Sequence, residues 1–272
     1  MNNKALIFVF AAGLLILAGT AVFLILKLVN PTAIGEIEIV NKFSRGLAET
    51  EDVEVAIPEG TNLADLVRIM EKTGLFRARE ILNKDNLVYE GFLFPDTYRF
   101  AADEEPNAIL NKMLSNFSIK TAEFFNARDL MSSYNKRILV IASLLEKEVR
   151  TEEAMRLVAG IIEKRLERRM PLEIDATVGY GVCYPEFQRG NYCDVSKVNI
   201  IDNLKGDSVY NTYVIKGLPP APIVNPGLKA IQAALLPEAS DYLYYLSAKD
   251  GTTIFSKTAA EHLANRKKYL NL

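Results

Sequence analysis

The sequence IASLLEKEVRTEEAMRLVAGIIEKRLERRMPLEIDATV, residues 141–178, carries the strongest structural signals of the chain. Within it, Glu146 follows directly on the apolar run ILVIASLL of residues 138–145. A carboxyl group at the end of such a run can be half-buried, and burial raises its pKa toward the range useful for general acid chemistry. The alternative interpretation is that Glu146 is only the polar edge of an amphipathic helix.

The helical pattern stops at Met170-Pro171, and we predict a polar loop there that carries Asp175 and Thr177. An acid on a helix that faces a polar loop forms a cleft suited to a neutral, hydroxyl-rich substrate. The pattern alone is thus consistent with an enzyme in which the helix-borne acid and the polar loop act together, but it favours the interpretation of Glu146 as the polar edge of a helix.

The N-terminus predicts a membrane anchor. Ala5 to Leu26 is uncharged and apolar, and it is bounded by Lys4 and Lys27. At ~1.5 Å rise per residue this run spans about 33 Å, which is enough for a hydrocarbon core of roughly 30 Å. No A-x-A cleavage signal follows it, so we expect an uncleaved single-pass span in the cytoplasmic membrane, with the C-terminal part outside the cytoplasm.

Composition excludes several classes of function. The chain has 32 basic and 34 acidic residues, so it has no electrostatic footprint for nucleic acid. One histidine and two cysteines are too few for a zinc site, and we expect no metal and no cofactor. The sequence contains no P-loop, no G-x-G-x-x-G motif and no G-x-S-x-G motif, so phosphate-cradling and serine-triad chemistry have no support.

Cys183 and Cys193 flank the segment YPEFQRGNY, which reads as a loop with Pro, Gly and Asn. In a domain outside the cytoplasm, two cysteines this close across a turn favour a disulfide. The alternative is a pair of free thiols.

We predict an α+β fold in four segments. They are an anchor with its cytoplasmic stub (1–30), a linker or short strand (31–51), a small β-α-α subdomain (52–88) and a larger mixed α+β domain (89–272). In the subdomain, Val53, Val55 and Ile57 alternate as in a strand, and Thr61 or Asn62 can cap the helix that follows. The larger domain is predicted to end in a hairpin with Asp250-Gly251 as its turn, followed by a helix.

Five blocks of sequence resemble the endolytic murein transglycosylases of the MltG (YceG-like) family. They are EGFLFPDTY (90–98), IASLLEKE (141–148), MPLEIDATVGYG (170–181), YNTY with KGLPPAPIVNPGLKAI (210–231) and YLYYLSAKDGTTIFSKTAAEH (242–262). The resemblance covers residues 52–270 together with the anchor. It implies a membrane-anchored enzyme that cleaves nascent peptidoglycan strands between MurNAc and GlcNAc and leaves 1,6-anhydro-MurNAc ends. It also implies that residues 52–88 are a LysM-like, glycan-binding subdomain.

The resemblance assigns the chemistry to one carboxyl group, Glu146, acting first as acid and then as base. We expect a glycan groove lined by the following residues: Asp175, Thr177, Tyr180, Tyr210, Asn211, Thr212, Tyr213, Leu218, Pro219, Pro220 and Asn225. Glu148 lies about 200° around the helix from Glu146, next to Thr151 and Glu152, so we expect it on a solvated edge outside the cleft.

Two alternatives remain. A hydrolytic muramidase would use Asp175 as a second carboxylate, and a non-catalytic peptidoglycan-binding or scaffold protein would leave Glu146 idle. The partners expected from the resemblance are peptidoglycan strands, a cell-wall synthase complex, and the membrane through residues 5–26.

Overall fold

Two small antiparallel sheets and a set of helices make up the part of the chain that the computed structural model describes, residues 52–126, 129 and 131–270. This mixture confirms the α+β prediction. The predicted membrane span Ala5–Leu26 and the linker at 31–51 lie outside the described residues. Within the described part, no helix combines the length and the apolar character needed to cross a bilayer.

The first described element is the strand β1, Asp52–Ala56, which pairs antiparallel with β2, Thr97–Ala101. Between them in sequence lie the helix α1, Leu63–Lys72, and 3-10 turns at Phe76–Ile81 and Asn86–Tyr89. The pairing of β1 with β2 therefore crosses the predicted boundary after residue 88.

The ends of α1 follow from local signals in its sequence. The side chain of Asn62 accepts a hydrogen bond from the backbone N–H of Asp65, so Asn62 is the cap. Gly74 has φ +98°, and its N–H and that of Leu75 bond back to the carbonyls of Glu71 and Met70. This is a Schellman ending, which favours glycine at the left-handed position.

Three longer helices follow: α2, Pro106–Lys120, α3, Ser133–Glu148, and α4, Glu152–Glu167. The middle of α3 is buried on nearly every side from Ile138 to Leu145, which makes it the central helix of the fold. Thr151 caps α4, because its side chain accepts the N–H of Ala154.

The predicted loop at Asp175 and Thr177 is wrong. Asp175 is the first residue of the helix α5, Asp175–Gln188, where a carboxylate is favourable at the helix N-terminus. The segment between the two cysteines is also mostly helical, since α5 continues through Pro185 to Gln188. A short helix α6 follows at Ile200–Asn203.

The C-terminal third places its elements against α3 and α4. The helix α7, Leu228–Leu235, packs on both of them. The predicted hairpin is present as β3, Tyr244–Ser247, paired antiparallel with β4, Thr253–Ser256. The last helix, α8, Ala259–Leu270, packs against this hairpin.

Candidate active site

Glu148 is the last residue of α3, and β3 partly covers its carboxyl group. The hydroxyl of Tyr245 donates to its Oε2 at 2.9 Å, and the hydroxyl of Ser247 donates to its backbone carbonyl at 3.1 Å. Burial raises the pKa of Glu148 to about 7, and the negative charge of Asp175 adds to this, while the Tyr245 hydrogen bond opposes it. A carboxyl group with this pKa is divided between its acid and base forms near neutral pH.

Glu146 lies in the same last turn, facing the N-terminus of α7. Its Oε2 accepts the backbone N–H of Gly227 at 3.0 Å. Burial raises the pKa of Glu146, whereas the Gly227 hydrogen bond and the charge of Lys147 lower it. Glu146 is half-buried, and the turn at Gly60 lies against its side chain.

Both reasons for placing Glu148 outside the cleft are wrong. Its carboxyl group is enclosed by β3 rather than solvated, because β3 returns to α3 from about a hundred residues later in the chain. Glu146 and Glu148 also line one cavity of about 520 Å³ at the end of α3, next to the β3–β4 turn. Glu148, more than Glu146, therefore has the half-buried environment that the sequence predicted for the general acid.

A second cavity, of about 640 Å³, lies on the other side of Glu148. Asp175 and Tyr213 meet on its wall, where the Tyr213 hydroxyl donates to Asp175 Oδ1 at 2.6 Å. Tyr213 is partly buried and Asp175 is exposed. Both predicted substrate-binding residues are thus together, and both face the cavity that holds Glu148.

Three cavities adjoin at the end of α3. Lys147 lines all three of them, and Glu148 lines the two already described. The third cavity, of about 420 Å³, shares Asp175 and Ala176 with the second and extends along α1 and α5. We refer to these three adjoining cavities as the trough, and Glu148 lines two of them.

Thr177 and Thr212 are fully buried and position the wall of the trough rather than lining it. Their hydroxyls hydrogen-bond to each other at 2.9 Å, and the hydroxyl of Thr212 also accepts the N–H of Ile174 at 2.9 Å. These bonds tie the start of α5 to the segment that carries Tyr213. They therefore fix the Asp175–Tyr213 pair from behind.

Asn211, Tyr180 and Tyr210 are also buried, and of these three Tyr180 lines the third cavity; their predicted contacts with glycan stay predictions. The Asn211 amide donates to backbone carbonyls of residues 203–206, and its Oδ1 accepts the N–H of Tyr213 at 3.0 Å. The rings of Tyr180 and Tyr210 pack on each other with centroids 4.9 Å apart.

Asn225 is completely buried and joins two distant segments. Its Oδ1 accepts the N–H groups of Gly91 and Leu93 at 2.8 and 3.0 Å. Its amide donates to the carbonyl of Thr61 at 2.9 Å and to Glu90 Oε1 at 3.1 Å. With both side-chain groups paired inside the protein, Asn225 has a structural role, and its predicted contact with ligand stays a prediction.

Glu90 completes this network from the loop before β2. Its carboxylate accepts the N–H of Leu63 at the start of α1 and the hydroxyl of Tyr180 at 3.3 Å. Burial raises the pKa of Glu90 to about 8. The loop that carries Gly227 toward Glu146 is thereby anchored to α1 and α5.

Comparison with known proteins gives a match for most of this architecture. A family model described as the YceG-like family matches residues 31–268. The chain belongs to the YceG-like family. The resemblance read from the five sequence blocks is confirmed.

Named relatives and a solved structure agree with this membership. A protein of Bacillus subtilis strain 168 named endolytic murein transglycosylase is 34% identical over 186 residues, which are 67% of this chain and 48% of that protein. One of the same name from Streptococcus pneumoniae D39 is 28% identical over 183 residues, 67% of this chain and 32% of its own length. The chain thus spans less than half the length of these relatives.

The crystal structure of a YceG-like protein from Listeria monocytogenes is similar, with a TM-score of 0.66 and 28% identity. The match covers 84% of this chain and 80% of that one.

In this YceG-like chain, only some of the remaining predicted site residues lie at the surface. Leu218 packs against the core, Pro219 is buried and Pro220 is exposed. Cys183 and Cys193 are joined in a disulfide that links α5 to the loop after it. Among the described residues, no group of His, Cys, Asp and Glu is arranged to hold a metal ion.

Sequence reasoning missed Glu148 as a site residue and missed Tyr245 and Lys147 altogether. Glu148 and Lys147 belong to the block IASLLEKE, and Tyr245 belongs to YLYYL, so the family blocks contained the signal. The missing information was the contact between these two blocks, which only the fold supplies.

Proposed function

We propose that this chain is an endolytic murein transglycosylase that acts on peptidoglycan glycan strands. Membership of the YceG-like family and the names of its relatives support the reaction class. The observation that carries the proposal is the environment of Glu148, a half-enclosed carboxyl group with a pKa of about 7 that lines two of the adjoining cavities.

Glu148 would act twice in one turnover. As the acid, it gives its proton to the glycosidic oxygen between MurNAc and GlcNAc while the bond from that oxygen to C1 breaks. As the carboxylate, it then takes the proton of the C6 hydroxyl, whose oxygen forms a bond to C1 of the same sugar. The products are a new GlcNAc hydroxyl end and a 1,6-anhydro-MurNAc end, and no water is consumed.

This reaction needs one titrating carboxyl group, unlike hydrolysis by paired carboxylates. The Tyr245 hydroxyl would orient Glu148 and stabilise its anionic form between the two steps. Asp175, held by Tyr213, supplies a fixed negative charge in the same cavity, where positive charge develops on the sugar as the bond breaks.

The endolytic mode is supported by the shape of the trough. The cavities adjoin at Lys147 and extend along α1 in one direction and along β3 and α8 in the other, and Glu148 lines the second of these. A strand can therefore lie across the acid without presenting an end. A closed chamber would instead select for strand ends.

The decisive experiment compares Glu148→Gln with Glu146→Gln in the full chain. We expect Glu148→Gln to reduce the release of anhydro-muropeptide ends by about 10²–10⁴-fold, because glutamine still accepts the Tyr245 hydrogen bond but cannot donate the titrating proton. Glu146→Gln should remain near wild type, because the amide oxygen can still accept the Gly227 N–H.

Both variants should show wild-type circular dichroism. If Glu146→Gln instead loses far more cleavage activity than Glu148→Gln, Glu148 is not the acid, and the acid predicted from sequence, Glu146, is supported.

A hydrolytic muramidase is the second candidate, and the place of Asp175 in the Glu148 cavity favours it. Its product ends would be reducing MurNAc, heavier by one water than the anhydro form. Mass spectrometry of digested strands separates the two reactions directly. A chain that binds strands without producing either end would instead be a binding or scaffold protein.

We also propose that residues 5–26 anchor the chain in the cytoplasmic membrane with the described part outside, where it would work beside a cell-wall synthase. The apolar length of that segment supports this proposal. Residues 52–101, closed by the β1–β2 pairing, would form the LysM-like unit. A reporter fused after Leu272 should be active only outside the cytoplasm; activity in the cytoplasm would reject this topology.

A further inference from the structure

The end of the Glu148 cavity that lies between β3 and α8 contains a stacked column of three side chains. The guanidinium of Arg165 lies 5.1 Å from the ring centroid of Tyr244. On Tyr244 the imidazole of His262 stacks with centroids 5.4 Å apart and planes at 24°. All three residues line the cavity. The column is therefore part of the trough and not of the core.

Arg165 is a fixed positive charge in this column. Its side chain is 7% exposed and donates to the carbonyls of Leu243 and Leu172, both at 2.9 Å. A single carboxylate, Glu173, pairs with it at 3.4 Å. Its charge is thus balanced within the protein, and its position is set by the backbone.

Arg266 is different, because it has no carboxylate partner among the described residues. It lies one helical turn after His262, on the same face of α8, and it also lines the cavity. Arg165, Arg266 and Glu173 together leave one net positive charge at this end. That charge fits one monoanionic group.

His262 has an unsatisfied polar atom. Its Nδ1 is buried and has no hydrogen-bond partner in the described part of the chain. Burial lowers the pKa of His262, as do Arg266 on its own helix and Arg165 from α4, and Glu173 opposes them. The imidazole is consequently neutral at pH 7 and surrounded mainly by positive charge.

We propose that Tyr244, His262 and Arg266 form a subsite for a carboxylate group of the glycan substrate. Arg266 pairs with the carboxylate, since a guanidinium matches its planar shape. A ring nitrogen of His262 donates a hydrogen bond to the carboxylate, and the ring of Tyr244, which stacks on the imidazole, holds it in place. This inference rests on the proposed function, because it takes the carboxylate from a muramic acid residue beside the bond that Glu148 would break.

Two sources could supply the carboxylate: the lactyl group of a muramic acid without a peptide, or the peptide itself. N-acetylmuramic acid tests the first source, and muramyl dipeptide, whose lactyl group is in an amide bond, tests the second. N-acetylglucosamine has no carboxylate and is the neutral control.

The sole histidine of the chain makes the measurement direct. The full chain in detergent micelles, labelled at histidine, gives one imidazole signal by NMR. We expect one of the two acidic ligands to raise the pKa of His262 by roughly 1 pH unit, because a carboxylate offsets the two arginines. N-acetylglucosamine should leave the pKa unchanged.

Arg266→Gln should weaken the response so that about tenfold more ligand is needed, whereas Lys267→Gln, the same charge change one residue away, should not. The subsite is rejected if neither acidic ligand shifts the pKa of His262. It is also rejected if Arg266→Gln and Lys267→Gln weaken the ligand-induced shift equally.

The experiments distinguish failure of the subsite proposal from failure of the proposed function. If the chain cleaves strands but neither ligand changes the pKa of His262, the proposed function stands and the subsite is rejected. If an acidic ligand raises the pKa of His262 but the chain releases no anhydro-MurNAc ends, the subsite stands and the proposed function is rejected.

Discussion

Replacing Asn225 with alanine tests whether this residue holds the fold together or contacts substrate. In the structure its side chain makes four buried hydrogen bonds, two as acceptor and two as donor. Alanine removes all four. The carbonyl of Thr61 keeps a partner, because it also accepts the backbone N–H of Asn225 at 3.0 Å. Glu90 keeps the N–H of Leu63.

The groups left without a partner are the N–H donors of Gly91 and Leu93. A buried donor that loses its only acceptor costs about 1–3 kcal/mol. We therefore expect Asn225→Ala to lower the free energy of unfolding by roughly 2–6 kcal/mol, a large part of the total for a domain of this size.

The assay is urea denaturation followed by far-ultraviolet circular dichroism, with the midpoint compared between variants. Asn191→Ala is the matched control, since Asn191 is exposed and bonds only the exposed Glu186, and it should shift stability by less than about 0.5 kcal/mol. If Asn225→Ala unfolds at the same midpoint as Asn191→Ala while strand binding is lost, the structural role is refuted and the substrate contact predicted from sequence is correct.

Two further predictions concern the acid and the disulfide. Tyr245→Phe removes the hydrogen bond that lowers the pKa of Glu148, so the pH above which cleavage declines should move upward from about 7; a pH–rate profile that stays in place would mean that Glu148 is not the acid. Alkylation of the unfolded chain without reductant should label neither Cys183 nor Cys193 by intact mass, and replacing both with alanine should lower stability by on the order of 2–3 kcal/mol; two labels would mean that the bridge is absent.

Local signals in the sequence predicted local structure well. The predicted cap at Asn62 depends on residues within a few positions of each other. The hairpin around Asp250-Gly251 is also a local signal. Each of these needs only the chemistry of a short segment, which the sequence states completely.

Local sequence patterns did not predict structure where contacts with a distant segment determine it. The strand β1 pairs with β2 some forty residues later, and no local signal in the sequence marks this pairing. The helix α5 extends through Pro185, although a proline normally argues against a helix interior.

The same distinction explains the candidate site. Asp175 and Tyr213 could be predicted because polar and aromatic residues in the family blocks favour a cleft. The burial of Thr177 and Asn225 could not, because Thr212 and Glu90, which pair with them, lie far away in sequence. The enclosure of Glu148 depends likewise on Tyr245, which is 97 residues away.

The bridge between Thr61 and Asn225 has a consequence for how the molecule opens. Two backbone bonds, from Gly60 to the carbonyl of Asn225 and from Asn225 to the carbonyl of Thr61, join segments 164 residues apart. The segment from β1 to β2 therefore cannot detach without breaking buried contacts in the rest of the fold. The slowest-exchanging amide protons of β1, α1 and β2 should therefore exchange with deuterium at the same rate as those of α3, as expected if both belong to one cooperative unit.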